Sequence, residues 1–204
     1  MRVIIPAAGS ATRFGGVRKE LLPLSEAPSD TPLMRAVARG LELGRVTVVT
    51  SVANAAQHAR ALADLPVDLR VRSTGADDLW HSILAGLDED DGALLLADTV
   101  WDGYIPRQLD AAIVFGVFQT DEPERFSTLR AGRIVTKQPS LRREAAWGCV
   151  LWRREAAALW RRERFDTYDA AFQAAMGLGY ATFPIAGYND LGTFAAYRRW
   201  MVQL

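Results

Sequence analysis

The chain has 204 residues, half of them hydrophobic, enough for one domain with a real core. Lys plus Arg equals Asp plus Glu at 24 each, so no global basic field suggests a nucleic-acid partner. The single cysteine, Cys149, excludes an internal disulfide framework and argues against a zinc cluster. No apolar run approaches transmembrane length, and the apolar start, cut by Pro6, is too short for a signal peptide. The expected setting is the cytoplasm, with no membrane partner.

Val3-Ile4-Ile5 is apolar and β-branched without helical spacing, and reads as a buried strand that breaks at Pro6. Small residues follow, Ala7-Ala8-Gly9-Ser10-Ala11-Thr12, whose backbone amides can come close to an anion. Arg13 and Lys19 come next, two cations able to face a phosphate. A strand, a small-residue loop and two cations suit a nucleoside triphosphate. An ordinary strand-to-helix turn with surface Arg and Lys is the plainer alternative. No G-K-[ST] follows, so this is not a Walker A loop, and the dinucleotide fingerprint lacks its second glycine.

Thr31-Pro32 caps a helix carrying Leu33, Ala36, Val37, Gly40 and Leu41, and Gly44 ends it. Val46 to Thr50 is a second strand. Residues 53–64 form a helix stopped by Pro66, with His58 read as a surface residue, and Val67 to Val71 is a third strand. This alternation predicts one α/β domain over 1–204, with a Rossmann-like open mixed sheet, mostly parallel, and helices on both faces. A helix over Leu79 to Leu87 holds a half-buried His81.

The apolar strand from Gly92 ends at Asp98. Ligands in open α/β sheets sit beyond the carboxyl ends of strands, so Asp98 is placed to hold a hard cation such as Mg²⁺; capping a turn is its other reading. A short helix over 105–110 and a strand from Ala111 to Gln119 follow. Phe126 to Arg130 and Arg133 to Lys137, joined by Ala131-Gly132, read as a hairpin. A strand over Trp147 to Trp152, helices over 154–163 and 166–176, a strand over Tyr180 to Ile185 and an aromatic helix to Trp200 complete the chain. That last helix, with Phe194, Tyr197 and Trp200, suits packing on its own core or on a second copy in a homo-oligomer.

Several stretches resemble one family, the sugar-1-phosphate nucleotidylyltransferases. IPAAGSATRFGGVRKELLPL is similar to their signature A-A-G-x-G-T-R, a gap, then P-K-x-L-L-P. Ala7, Ala8, Gly9, Thr12, Arg13, Lys19, Leu21, Leu22 and Pro23 match, while Ala11 and Arg18 replace Gly and Pro. LLLADTV resembles the L-x-G-D strand end whose Asp ligates a metal, with Ala97 in place of Gly. PERF before the hairpin matches too. YNDLGT resembles W-x-D-[IV]-G-T, which puts Asp190 at the second metal-ligand Asp; starting the last helix from Asp190 or Thr193 is the local alternative.

The resemblance implies a nucleotide-diphospho-sugar transferase fold and Mg²⁺-dependent transfer of a nucleoside monophosphate from an NTP to a sugar-1-phosphate, releasing pyrophosphate. Ala7, Ala8, Gly9, Ser10 and Thr12 would bind the nucleotide, with Thr74, Gly75 and Ala76 at the base. Arg13, Lys19 and Asp98 would be catalytic, and Asp98 and Asp190 would hold the metal. On the acceptor side stand Lys137, Trp147, whose indole could stack on a sugar ring or pack in the core, and Gly148. The family's Glu-Lys-Pro element is altered to Lys137-Gln138-Pro139, which leaves two alternatives. One stays within nucleotidyl transfer, since the opening also resembles cytidylyltransferases acting on a polyol or choline phosphate and molybdenum-cofactor nucleotidylyltransferases; the other is a catalytically reduced, nucleotide-binding regulatory subunit, with Ala11, Ala97 and Gln138 as its marks.

Overall fold

The β-branched runs do build the sheet. Val3, Ile4, Ile5, Val48 and Val49 are fully buried, each such side chain contributing about 1.5–3 kcal/mol. The computed structural model describes residues 1–9, 17–72 and 79–202. Its strands are β1 (Arg2–Ala7), β2 (Arg45–Ser51), β3 (Val67–Arg72), β4 (Gly92–Leu95), β5 (Thr99–Asp102), β6 (Ile113–Thr120), β7 (Ser127–Arg130), β8 (Arg133–Thr136), β9 (Glu144–Trp152), β10 (Tyr180–Pro184) and β11 (Ala186–Asp190). Its helices are α1 (Pro32–Leu43), α2 (Ala55–Ala61), α3 (Leu79–Gly86), α4 (Arg154–Arg162), α5 (Tyr168–Met176) and α6 (Phe194–Val202).

The main sheet runs β10-β6-β9-β4-β1-β2-β3. β1 is parallel to β2 and β4, β2 to β3, and β10 to β6; β9 runs antiparallel to both β4 and β6 and makes the sheet mixed. Side chains alternate across it. Val3, Ile5, Val46 and Val48 join Leu33 and Val37 of α1 on one face. Ile4, Val49 and Leu94 join Trp80 and Ile83 of α3, Trp160 of α4 and Phe172 of α5 on the other. Thr31 caps α1 by accepting the Met34 N–H at 3.2 Å, with Pro32 in the first turn.

Three local expectations are corrected. Pro6 does not break the first strand, which runs on to Ala7 with Pro6 opposite Val49. The Arg2 N–H bonds to Asp91 on the β4 side, so Pro6, of the same parity, also turns its nitrogen that way, beyond the last β4 pair Ile4–Leu94. No ladder bond is lost there. Residues 105–110 form irregular chain, not a helix. Finally, β5 and β11 pair antiparallel as a small second sheet, where the sequence suggested only loops on either side of Asp98 and Asp190.

The β7–β8 hairpin turns on Ala131 and Gly132, both in the left-handed region at φ +46° and +74°. It is fixed to α5 by Gln173, whose Oε1 accepts the Ile134 N–H at 2.9 Å and whose amide donates to the Gly132 carbonyl at 3.3 Å.

Candidate active site

β1 and β4 lie side by side in the sheet, and the chain leaves both at the same edge. Ala7 and Ala8 are buried where β1 ends, and Gly9 is exposed just beyond. The Gly9 carbonyl accepts from the Arg18 guanidinium at 2.9 Å and from the Asn54 amide at 3.2 Å. Ser10, Thr12 and Arg13 lie outside the described residues, as do Thr74, Gly75 and Ala76. Past β4, the tight turn into β5 carries Asp98, half-buried. A 3-10 turn over Lys19–Leu21 brings the Lys19 ammonium onto the Asp98 carboxylate, 79 residues away in sequence.

Asp190 ends β11, directly opposite Thr99 of β5, and the next N–H, of Leu191, bonds the Asp98 carbonyl at 2.9 Å. The small sheet therefore holds Asp190, at the end of β11, against the turn that carries Asp98 into β5. One Asp190 oxygen accepts the Gly192 N–H at 2.7 Å, an Asx turn leading into α6, whose first turn is capped by the Thr193 hydroxyl. The other meets the Arg125 guanidinium at 3.5 Å, and Arg125 is held from behind by Glu122. Each of the two carboxylates thus faces a basic side chain, Lys19 for Asp98 and Arg125 for Asp190.

Tyr188 stands between these groups. Its ring stacks on Phe118 at 3.8 Å between centroids and meets Phe126 edge-on at 6.0 Å. The residue as a whole is half-buried, while its hydroxyl is enclosed. Burial first, then the Asp190 and Asp98 carboxylates, push that hydroxyl well above the ordinary phenol range, with a Thr99 hydrogen bond opposing. Gly148 of β9 lies beneath the ring; a Cβ there would come within 2.4 Å of Tyr188 Cε2. A cleft of about 440 Å³ opens beside Tyr188, Asp190 and Arg125.

The C-terminal helix closes the site from outside. The Tyr197 hydroxyl donates to the Pro23 carbonyl at 2.6 Å and the Trp200 indole to Leu24 at 3.3 Å. Leu24, Val100 and Leu191 form a small core under these rings. Tyr197 and Trp200 therefore pack on their own chain, and this packing ties the segment after Lys19 to β5 and β11; Phe194 is 62% exposed.

Trp147 and Lys137, the other two acceptor-side expectations, differ in their surroundings. Trp147 is a core tryptophan, 6% exposed, with Tyr168 and Phe172 edge-on to its ring at 5.7 and 5.8 Å; it offers no open ring face for a sugar. Lys137 is exposed at the end of the hairpin in the left-handed region, φ +48°, its N–H bonded to the Phe126 carbonyl at 2.9 Å. Such a conformation is strained for a side chain larger than glycine. Beside it Asp169 takes hydrogen bonds from Ser127 and Thr136, yet burial raises its pKa, against those bonds and the Lys137 charge.

Sequence reasoning passed over four residues. Arg125 sat inside the PERF match without a role. Tyr188 sat inside the YNDLGT match, at the motif's Trp position, without a role. Glu20 drew no reading and His58 read as a surface residue, but they are buried and joined: His58 Nε2 lies 3.2 Å from Glu20 Oε1, and His58 Nδ1 lies 2.7 Å from the Thr50 hydroxyl.

The two carboxylates brought together by the β5–β11 pairing offer hard oxygen donors of the kind that would suit a divalent ion. Among the described residues no group of three or more His, Cys, Asp or Glu could hold a metal by itself. No helix among them is long and apolar enough to cross a membrane.

A family model described as the MobA-like NTP transferase domain matches residues 3–117, more than half of the chain. No curated protein matches the sequence. Solved structures share the fold over nearly the whole length. A proposed glucose-1-phosphate thymidylyltransferase from Bacillus anthracis, in complex with sucrose, superposes with a TM-score of 0.79 at 15% identity, covering 100% of this chain and 94% of that one. A UDP-glucose pyrophosphorylase complexed with UDP-glucose gives 0.75 at 16%, covering 99% and 97%. An inositol-1-phosphate CTP transferase from T. maritima gives 0.69 at 17%, covering 99% and 95%.

Proposed function

The chain belongs to the family of the MobA-like NTP transferase domain, and from that premise we propose that it transfers a nucleoside monophosphate from an NTP to a sugar-1-phosphate, with Mg²⁺ as cofactor. An acceptor phosphate oxygen attacks the α-phosphorus in line. The new oxygen–phosphorus bond forms as the bond to the β-phosphate oxygen breaks, and its electron pair leaves with pyrophosphate. No side chain needs to form a covalent bond; positioning and charge neutralisation carry the rate.

The observation that supports this reading best is the Lys19–Asp98 pair at the shared edge of β1 and β4, with Asp190 on the strand alongside. Lys19 stabilises the α-phosphate and the attacking phosphate. Arg13, which follows the small-residue loop, stabilises the β- and γ-phosphates and the departing pyrophosphate. Asp98 and Asp190 hold Mg²⁺, which supplies charge neutralisation and orientation of the phosphates when bound. Arg125, paired with Asp190, adds a cation on the acceptor side.

A second reading has its own support. Lys137 and Gln138 stand where the resembling family has Glu and Lys, and one protein of the same fold is an inositol-1-phosphate CTP transferase. That favours CTP with a polyol phosphate. One assay separates the two: pyrophosphate release with Mg²⁺, each NTP, and a panel of sugar-1-phosphates and polyol phosphates. Lys19→Met and Asp98→Asn should each lower turnover on the order of 10²–10³-fold, the scale for removing one preorganised charge. Wild-type turnover in both variants would refute the assignment.

A further inference from the structure

We infer that helix α2 positions the catalytic lysine: Asn54 at its N-cap and His58 within it, one helical turn apart, anchor the chain on both sides of residues 10–16. This rests on the transferase reading for what the lysine does, but not for the anchoring.

On the near side, the buried Asn54 donates its amide to the Gly9 carbonyl at 3.2 Å. On the far side, His58 holds Glu20 at 3.2 Å and is itself held by the Thr50 hydroxyl at 2.7 Å. Asn54, His58 and Thr50 have no exposed surface, and Glu20 is only 5% exposed. A carboxylate so deep in the protein needs its partner, because unpaired it would be expensive to bury. The buried Thr50–His58–Glu20 chain therefore resists displacement.

Lys19 and Glu20 are neighbours in a single 3-10 turn, closed by the Leu22 N–H on the Lys19 carbonyl at 3.2 Å. Glu20 points inward to His58 and Lys19 outward to Asp98. Fixing the first fixes the backbone that carries the second. The functional need is clear, since a shift of about 1 Å in a reacting geometry can cost roughly 100-fold in rate. His58, Glu20 and Thr50 are thus positioning residues; none reaches the substrate.

The chain offers a direct readout, because it has only two lysines, Lys19 and Lys137, among its 24 cations. Reductive ¹³C-methylation keeps the lysine charge and gives two side-chain NMR signals besides the N-terminal amine. Lys137→Arg assigns them. In wild type the Lys19 signal should be displaced from that of free dimethyl-lysine by its contact with Asp98. In His58→Phe it should move towards the free position, and turnover should fall about 100-fold. Glu20→Gln, which can still bond His58, should retain both. If His58→Phe does not fold, Thr50→Val removes the other end of the chain and should shift the Lys19 signal in the same direction. Folded variants with an unmoved Lys19 signal would overturn the inference. A wild-type protein inactive with every NTP and acceptor would refute the transferase reading alone, while the lysine signal would still decide the anchoring.

Discussion

Gly148→Ala should disable the site from beneath. An added Cβ would lie 2.4 Å from Tyr188 Cε2, 2.7 Å from Cδ2 and 2.7 Å from Ile185 Cδ1. Carbon atoms pack at about 3.5–4.0 Å, so the ring would have to retreat by roughly 1 Å or more. Phe118 stacks on the ring at 3.8 Å with the planes 10° apart and Phe126 meets it edge-on, so any retreat disturbs both contacts or pushes the ring into the cleft. Overpacking of this kind costs about 1–3 kcal/mol. In a chain of this size each kcal/mol lowers the melting temperature by about 2–4 °C, so a fall of roughly 2–12 °C is expected. The functional loss should be larger. Tyr188 and Asp190 lie two residues apart on β11, so a shifted ring drags the carboxylate, and about 1 Å of misplacement can cost roughly 100-fold in turnover. Thermal unfolding and pyrophosphate release measure the two effects. A Gly148→Ala protein with wild-type melting temperature and turnover would refute the packing argument.

Two further predictions concern pH. Burial holds the Cys149 thiol at about 12 against an ordinary 9.0, and the Tyr188 hydroxyl is raised as well. Both groups favour their neutral forms in the folded chain, so their contribution is whole below the unfolded pKa and is lost as pH rises towards the folded one. For Cys149 the loss by pH 10 is on the order of 1 kcal/mol. Melting temperature should therefore drop above pH 9, and Cys149→Ala should make that drop shallower; an unchanged slope would contradict the burial. Asp169, raised chiefly by burial, costs stability once ionised, so Asp169→Asn should melt higher than wild type at pH 7, and the gap should close as pH falls below 4. A less stable variant at pH 7 would count against that environment.

The main architecture was legible because its signals were local. Val3-Ile4-Ile5, Val46 to Thr50 and the Thr31-Pro32 cap each declare an element from neighbouring residues, and alternation of strand and helix implies parallel pairing. The placement of Asp98 and Asp190 was partly legible for a different reason: one follows a strand end and the other precedes a helix, and the structure brings the two together. What escaped depended on distant partners. β5 and β11 become strands only because each finds the other some 90 residues away, and neither alternates cleanly by itself. Glu20 and His58 look like solvated polar residues until Thr50 completes their chain. Trp147 could equally be a stacking platform or a core ring, and only Tyr168 and Phe172, on a separate helix, decide for the core. Pro6 reads as a breaker because the side to which its nitrogen turns is invisible in one dimension.

The most direct measurement of the central claim follows the label of an NTP carrying ³²P at the α-phosphate, incubated with Mg²⁺ and the acceptor panel. Nucleotidyl transfer puts the label in the acceptor product and leaves pyrophosphate unlabelled, and Lys19→Met suppresses the labelled product. Release of unlabelled inorganic phosphate with the label retained in a nucleoside diphosphate, or no labelled product with any NTP and acceptor, would contradict it.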